Sequence, residues 1–110
     1  GTIIFTGATA SLRGGKGYAA FAGAKFALRA LAQAMARELG PENIHVAHVV
    51  IDGAIDSTFI RENLPDVDAR RAEDAILAPD AIARAYVALH HQHRSAWTHE
   101  LDLRPWRETF

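Results

Sequence analysis

The chain has 110 residues, of which 49% are hydrophobic and 23% are charged, a balance that is ordinary for a globular domain. A formal net charge of −1 predicts no attraction to nucleic acid or to an anionic membrane surface. The absence of cysteine excludes disulfides and thiolate metal sites, and no apolar run approaches the ~20 residues of a membrane span. Because no signal-peptide pattern opens the chain, a cytoplasmic location is favoured.

The first half of the chain predicts a strand, a turn and a long helix. Apolar and β-branched residues without alternation at 2–8 are typical of a buried parallel strand. The glycines between Gly14 and Gly17 predict a tight turn, because their spacing differs from the Gly-x-Gly-x-x-Gly pattern that holds a pyrophosphate. A helix is predicted at 18–39, with Gly40 as its C-cap and Pro41 beyond it. Its large apolar residues form one stripe: Leu28, Leu31, Met35 and Leu39.

The second half predicts two more strands and another long helix. A strand is expected at 44–51, where His45 and His48 fall on opposite faces because side chains alternate. Residues 52–77 are irregular, with a turn at Asp52-Gly53 and short helical pieces near 58–63 and 67–75. An amphipathic helix is predicted at 80–91, with Pro79 near its first turn, and a last strand at 99–103.

Strands joined through a helix lie parallel and close together, with a right-handed crossover. The pattern therefore predicts an α/β sheet with helices on its faces. The first strand would offer an open edge, so we expect this piece to need more of its own chain or a partner subunit. The alanine-rich helix is suited either to pairing with another subunit or to packing within its own.

The order of these segments carries a resemblance to a known family. A strand, a Gly-rich turn, a helix with an aromatic residue four positions before Lys25, an Arg-Glu-Leu-Gly sequence at 37–40 and a second strand follow one another. This order resembles the C-terminal half of the short-chain dehydrogenase/reductase family, from Gly1 to about Pro105. The resemblance implies that residues 1–110 are the C-terminal part of one Rossmann-like domain, a doubly wound parallel sheet with flanking helices. The dinucleotide-binding N-terminal half is expected to be absent from this chain.

The resemblance also implies a chemistry, which two substitutions alter. Family members transfer hydride between NAD or NADP and a carbonyl or alcohol substrate, with a tyrosine as proton donor, a serine that steadies the oxyanion and a lysine that binds the nicotinamide ribose. Lys25 matches the lysine, and we expect it to act in catalysis and in cofactor binding. Phe21 stands at the tyrosine position and Ala8 at the serine position, so neither can move a proton or donate a hydrogen bond.

Other residues are candidates to replace the missing groups. Tyr18 lies seven residues before Lys25, and seven steps of 100° return to within about 20° of the same helix face. Tyr18 is therefore a candidate catalytic residue, although it also suits simple packing beside the Gly-rich turn. Hydroxyls near the lost serine are offered by Thr6, Thr9 and Ser11, each of which is also a common turn or capping residue. Lys25 itself is open to the simpler interpretation of a surface lysine.

The segment after the second strand resembles the family sequence that meets the nicotinamide carboxamide. Ligands bind at the carboxyl ends of parallel strands, which is where this segment lies. Three of its residues fit the family pattern and are predicted to bind the cofactor: Gly53, Ile55 and Ser57. Asp52 replaces the family proline, and an ordinary strand-end turn is the alternative interpretation. The segment beyond occupies the place of a substrate-covering loop.

Two functions remain open at this point. One is an NAD(P)-dependent oxidoreductase acting on a small carbonyl or alcohol substrate, which the resemblance implies to be a homo-oligomer, a dimer or tetramer. The other is a non-catalytic relative that binds a nucleotide or a protein partner as a scaffold. No metal site is expected, because the histidines at 90–93 lack carboxylate or cysteine partners at ligand spacing, and cations suit a helix C-terminus.

Overall fold

The computed structural model describes residues 1–110 and contains one sheet of three parallel strands. The strands are β1 (Thr2–Ala8), β2 (His45–Ile51) and β3 (Glu100–Leu103), in the order β1-β2-β3. β1 pairs with β2 from Thr2 opposite His45 to Ala8 opposite Ile51. β2 pairs with β3 from His48 opposite Glu100 to Ile51 opposite Leu103. Every residue of β2 is buried, as expected for the central strand of a sheet covered on both faces. The three strand predictions are confirmed.

Four α-helices accompany the sheet: α1 (Ala19–Leu39), α2 (Thr58–Asn63), α3 (Val67–Ala72) and α4 (Pro79–His90). Single 3-10 turns occur at Thr9–Ser11, Gly40–Glu42 and Arg94–Ala96. The predicted helices are confirmed to within a few residues, including both short pieces and the proline in the first turn of α4. None of these helices combines the length and the apolar character that crossing a membrane would require.

The end of α1 differs in detail from the expectation for a glycine cap. Gly40 is the C-cap, but its φ of −53° and ψ of −46° are right-handed. The chain continues into the 3-10 turn Gly40–Glu42, which has Pro41 in its first positions. Proline is tolerated there because the first amide groups of a helix have no hydrogen-bond partner within it. The left-handed residue is Asn43, with φ 64°, which starts the entry into β2.

The sheet face that meets α4 holds the apolar core. Alternate residues of β2 project from this face and pack with Leu77 and with Leu89 of α4. The buried members of this cluster from β2 are Ala47, Val49 and Ile51. Burial of a branched aliphatic side chain contributes about 1.5–3 kcal/mol, so this cluster stabilises the packing of α4 on the sheet.

The opposite face, which meets α1, combines apolar residues with a buried histidine, since Val46, His48 and Val50 of β2 project from it. The buried residues of α1 are Ala22 and Ala32, and the small side chains allow the helix to lie close to the strands. The stripe of large residues expected from their spacing is only partly covered, since Leu31 is 49% exposed. Between the two alanines, Lys25 and Arg29 are partly buried and contact β1 and β3 respectively.

Candidate active site

A cavity of about 530 Å³ opens at the carboxyl ends of β1 and β2. Ligands bind at this edge in parallel α/β sheets because the helix N-termini and the connecting loops converge there. The cavity wall is formed by the last residues of two strands, the Gly-rich turn and the first turn of α1: Ala8, Thr9, Ala10, Arg13, Gly15, Tyr18, Phe21, Ile51 and Gly53. The tight turn expected for the glycines is confirmed: the Tyr18 amide donates to the Gly15 carbonyl at 3.1 Å, and Gly17 has φ 87°.

Both substituted positions of the family pattern lie on this wall. Ala8 ends β1, and its amide donates to the Ser11 hydroxyl oxygen at 3.0 Å. Phe21 presents an apolar ring in the first turn of α1. Ser11 is fully buried and does not line the cavity, whereas Thr9 does. The wall therefore has no side-chain hydroxyl group at these two positions.

Tyr18 is the residue on the wall that carries a phenol. It is the N-cap of α1, the residue is 58% exposed, and its hydroxyl makes no hydrogen bond. Seven residues of helix separate it from Lys25, about 10.5 Å along the axis, and no hydrogen bond joins the two side chains. Tyr18 and Phe21 share the cavity, while Lys25 lies one turn further along α1 and outside the wall.

Lys25 is held against the edge of β1. Its Nζ donates to the Thr6 carbonyl oxygen at 3.1 Å and lies 5.8 Å from the centre of the Phe21 ring. An ammonium over an aromatic face is attracted to the ring. Lys25 is therefore anchored beside Phe21, whose ring offers it no hydroxyl.

The three residues predicted to bind the cofactor are placed differently. Gly53 lines the cavity with φ 147°, a backbone conformation that other residues rarely adopt. Ile55 forms an isolated parallel bridge with Leu77 and packs on the apolar core. Ser57 is the N-cap of α2, and its hydroxyl oxygen accepts from the Ile60 amide at 3.4 Å. The structure thus brings Gly53 alone of the three to the cavity.

A buried carboxylate stands next to the cavity, directly after the end of β2. Asp52 is 2% exposed and accepts from the Thr9 hydroxyl at 2.5 Å and from Arg104 Nε at 3.3 Å. Arg13, on the cavity wall, reaches the same carboxylate at 3.8 Å. Buried charge is tolerated when it is paired and hydrogen-bonded, as here. The sequence signal was the acidic residue at the end of β2, but its partners are remote in the chain.

Asp56 fastens the segment that follows. Its carboxylate accepts from Arg71 at 2.6 and 3.0 Å and from Arg61 at 2.8 Å. Hydrogen bonds from Arg71 and then Arg61 hold the pKa of Asp56 well below its usual range, and the same contact raises the pKa of Arg71. α2 and α3 are therefore tied to the loop after β2 through one carboxylate.

A second polar network lies under α1. His48 of β2 is fully buried, and its Nδ1 lies 3.3 Å from Glu100 of β3, which pairs with Arg29 Nε at 2.8 Å. Burial raises the pKa of Glu100, but hydrogen bonds and charge from Arg29 and His48 outweigh it, and the net pKa is lowered. Arg29 accordingly links α1 to β3 across the central strand.

Parallel strands with a helix layer on each face and a cavity at their carboxyl ends are typical of a doubly wound α/β protein. The sequence comparison is more specific. A family profile described as Enoyl-(Acyl carrier protein) reductase matches residues 1–100. The chain belongs to the short-chain dehydrogenase/reductase family. A search of curated protein sequences found no match.

Several solved structures share this fold. A short-chain dehydrogenase from Rhodopseudomonas palustris is 51% identical, with a TM-score of 0.71, over 96% of this chain and 39% of its own. A serine dehydrogenase in its closed form, complexed with NADP⁺, is 16% identical, with a TM-score of 0.74 over 100% of this chain and 46% of its own. An NADPH-bound short-chain oxidoreductase from Pseudomonas aeruginosa PAO1, described as containing an atypical catalytic center, is 17% identical, with a TM-score of 0.78 over 99% and 46%.

The two remote likenesses show the fold alone. The chain spans less than half the length of each of these three structures. The predicted fold class, the C-terminal part of a Rossmann-like parallel sheet with flanking helices, is confirmed.

Proposed function

We propose that the protein is an NAD(P)-dependent oxidoreductase that transfers hydride between nicotinamide and a carbonyl or alcohol substrate. The observation that carries the proposal is the cavity at the carboxyl ends of β1 and β2, with Lys25 anchored beside its Phe21 wall. The similarly folded structures that contain NADP⁺ and NADPH support a nicotinamide cofactor, NAD or NADP. In this proposal residues 1–110 are one part of a single Rossmann-like domain.

Lys25 is proposed to hold the nicotinamide ribose. An ammonium has three N–H donors, and the Thr6 carbonyl takes one of them, so two remain for ribose hydroxyls. Gly53 is proposed to let the backbone approach the cofactor, because it lacks a side chain where it lines the cavity. For Ile55 and Ser57, a cofactor contact would be made by the backbone, since their side chains are engaged in packing and capping.

Tyr18 is proposed as the proton donor in place of Phe21. Its phenol lies on the cavity wall and has no partner within the protein, so it is free to meet a substrate oxygen. General acid–base catalysis contributes about 10²–10⁴ in rate. Removing this hydroxyl should therefore lower kcat by a factor in that range if Tyr18 is the donor.

Cofactor binding is tested by calorimetric titration of NADH and NADPH into the longest natural form of the chain. Lys25→Ala should weaken binding by about tenfold or more, because hydrogen bonds from a charged donor contribute about 1.5–3 kcal/mol. Lys16→Ala is the matched control, since it removes the same charge from the exposed turn outside the cavity wall. Absence of binding by both nucleotides would overturn the oxidoreductase proposal.

The proton donor is tested with two single variants in a panel of carbonyl and alcohol substrates. A loss of native activity in Tyr18→Phe supports Tyr18 as the donor. If native turnover is absent and Phe21→Tyr creates it, the native protein lacks an acid, and Tyr18 is not the donor. Ala8→Ser in the Phe21→Tyr background should raise this new activity further, by restoring an oxyanion donor.

A second candidate function is a non-catalytic relative that binds a nucleotide or a protein partner. Ala8 and Phe21 on the cavity wall favour it, because neither side chain donates or accepts a proton. Nucleotide binding that depends on Lys25, combined with no native turnover, would select this candidate.

We also propose that the protein is a homo-oligomer, a dimer or tetramer, with a cytoplasmic location. Half-exposed apolar side chains on α1, among them Phe26 and Leu31, support an interface on this helix. Light scattering of the longest natural form should give a mass of two or four chains, and a monomeric mass would contradict the proposal.

A further inference from the structure

One charged side chain, that of Arg13, lies on the wall of the cavity at the carboxyl ends of β1 and β2. The other wall residues are alanines, glycines, the apolar Phe21 and Ile51, and the hydroxyl-bearing Thr9 and Tyr18. No aspartate or glutamate lies on this wall. A mostly apolar cavity with one cation on its wall is suited to a ligand that combines an apolar body with one anionic group.

The backbone and a neighbouring carboxylate hold Arg13 at this wall. Its amide donates to the Thr9 carbonyl oxygen at 3.2 Å, which orders the turn after the end of β1. One of its Nη atoms lies 3.8 Å from Asp52 Oδ1. Thr9 Oγ1 lies 2.5 Å from the same carboxylate oxygen, so the side chains of Arg13 and Thr9 are neighbours on the cavity wall.

The guanidinium of Arg13 retains its hydrogen-bond donors. The 3.8 Å that separates it from Asp52 is longer than a hydrogen bond. The two oxygens of the Asp52 carboxylate accept instead from the Thr9 hydroxyl at 2.5 Å and from Arg104 Nε at 3.3 Å. A guanidinium has five N–H donors in a planar fork that matches a carboxylate. The side chain of Arg13 is 54% exposed, so a ligand in the cavity can reach these donors.

We propose that Arg13 binds a carboxylate of the substrate, so that this cavity takes carbonyl or alcohol compounds that carry a carboxylate beside an apolar group. This inference rests on the proposed oxidoreductase function and names the substrate class of the same site. The carboxylate oxygens would accept two parallel hydrogen bonds from the guanidinium. The apolar part of the substrate would pack against Phe21 and Ile51 on the same wall.

Two ketones of similar shape test the requirement for a carboxylate. Phenylglyoxylate carries a carboxylate next to its ketone, and 1-phenylpropane-1,2-dione carries an acetyl group in its place. Each is titrated calorimetrically into the longest natural form of the chain, saturated with NAD⁺ or NADP⁺, which cannot reduce a ketone. We expect phenylglyoxylate to bind at least about tenfold more tightly than the dione, because it alone accepts charge-assisted hydrogen bonds from Arg13.

The failure of this inference differs from the failure of the proposed function. Equal affinities for the two ketones, or no binding of phenylglyoxylate to the nucleotide complex, would overturn the inference and leave the oxidoreductase proposal standing. Absence of nucleotide binding, observed before either ketone is added, would overturn the oxidoreductase proposal and this inference with it.

Two variants then assign the carboxylate to Arg13. Arg13→Gln should weaken the binding of phenylglyoxylate by about tenfold or more and leave the affinity for the dione unchanged. Lys16→Gln is the matched control, because it removes the same charge from an exposed position of the same turn outside the cavity wall, and it should leave both affinities unchanged. Unchanged phenylglyoxylate affinity in Arg13→Gln would overturn the inference.

Nucleotide titrations distinguish a substrate carboxylate from a phosphate group of the cofactor as the partner of Arg13. NADH and NADPH should bind to Arg13→Gln as tightly as to the unmodified protein. A tenfold loss of affinity for either nucleotide would assign Arg13 to the cofactor and overturn the inference.

Discussion

Substitution of Gly7 by alanine tests the tight packing beneath α1. A Cβ atom at Gly7 would lie 2.3 Å from His48 Nε2 and 2.6 Å from Ser11 Oγ, where ordinary contacts begin at 3.4 Å. Both neighbours are fully buried, and His48 is further held by Glu100, so neither can move aside cheaply. Overpacking of a core typically costs 1–3 kcal/mol, and two simultaneous overlaps place Gly7→Ala near 3 kcal/mol.

The free energy of unfolding is measured by urea denaturation of the longest natural form. A loss of about 3 kcal/mol should appear as a lower midpoint with an unchanged m-value. Gly23→Ala is the matched control, because nothing lies within 4 Å of its Cβ and alanine is the better helix former, so stability should rise by about 0.5–1 kcal/mol. Adding His48→Ala should reduce the cost of Gly7→Ala by removing the closer overlap. A change below about 0.5 kcal/mol in Gly7→Ala would refute the reasoning.

Three further predictions concern the loop after β2 and the network under α1. Gly53→Ala should lower the free energy of unfolding, measured in urea, by about 1–3 kcal/mol, because φ at Gly53 is 147° and the new Cβ would lie 3.0 Å from Pro105 Cδ. Gly14→Ala should leave this free energy unchanged, because nothing lies within 4 Å of a Cβ at Gly14. Asp56→Asn should speed amide hydrogen exchange in 58–72 at pH 7. The exchange rates of the unmodified protein and of Asp56→Asn should become equal only well below pH 3.8, because a carboxylate with a lowered pKa stabilises the fold above its ordinary pKa. Slow exchange in Asp56→Asn at pH 7 would contradict this. Glu100→Gln should lower the thermal stability of the protein at pH 7, and this loss of stability should shrink as the pH falls below about 4.5. A loss of thermal stability that does not depend on pH would contradict the ion-pair role of Glu100.

The character of the two sheet faces explains how one helix carries both structure and candidate chemistry. α4 covers an aliphatic face, whereas the face under α1 also contains the buried His48. Lys25 and Arg29 are four residues apart, so they share the face of α1 that meets the sheet. Arg29 ends on Glu100, and Lys25 ends on a strand-edge carbonyl beside Phe21. The buried alanines of the same helix are Ala22 and Ala32.

The candidate site was predictable in part. Lys25, Phe21 and Ala8 were recognised from the order of segments, and the structure places Ala8 and Phe21 on one cavity wall. The prediction that Tyr18 and Lys25 share one helix face rests on the angle per residue alone. Angle ignores the rise of about 1.5 Å per residue, which separates the two side chains along the axis. Ser57 fitted a family pattern, but its hydroxyl oxygen caps α2.

The amino-acid sequence by itself determined the strands, the helices and the parallel order, because these depend on local periodicity and on the rules for connecting strands through a helix. Only the tertiary structure decided which polar groups meet. Asp52 with Arg104, Asp56 with Arg71, and His48 with Glu100 are separated by 15 to 52 residues, and no local pattern pairs them.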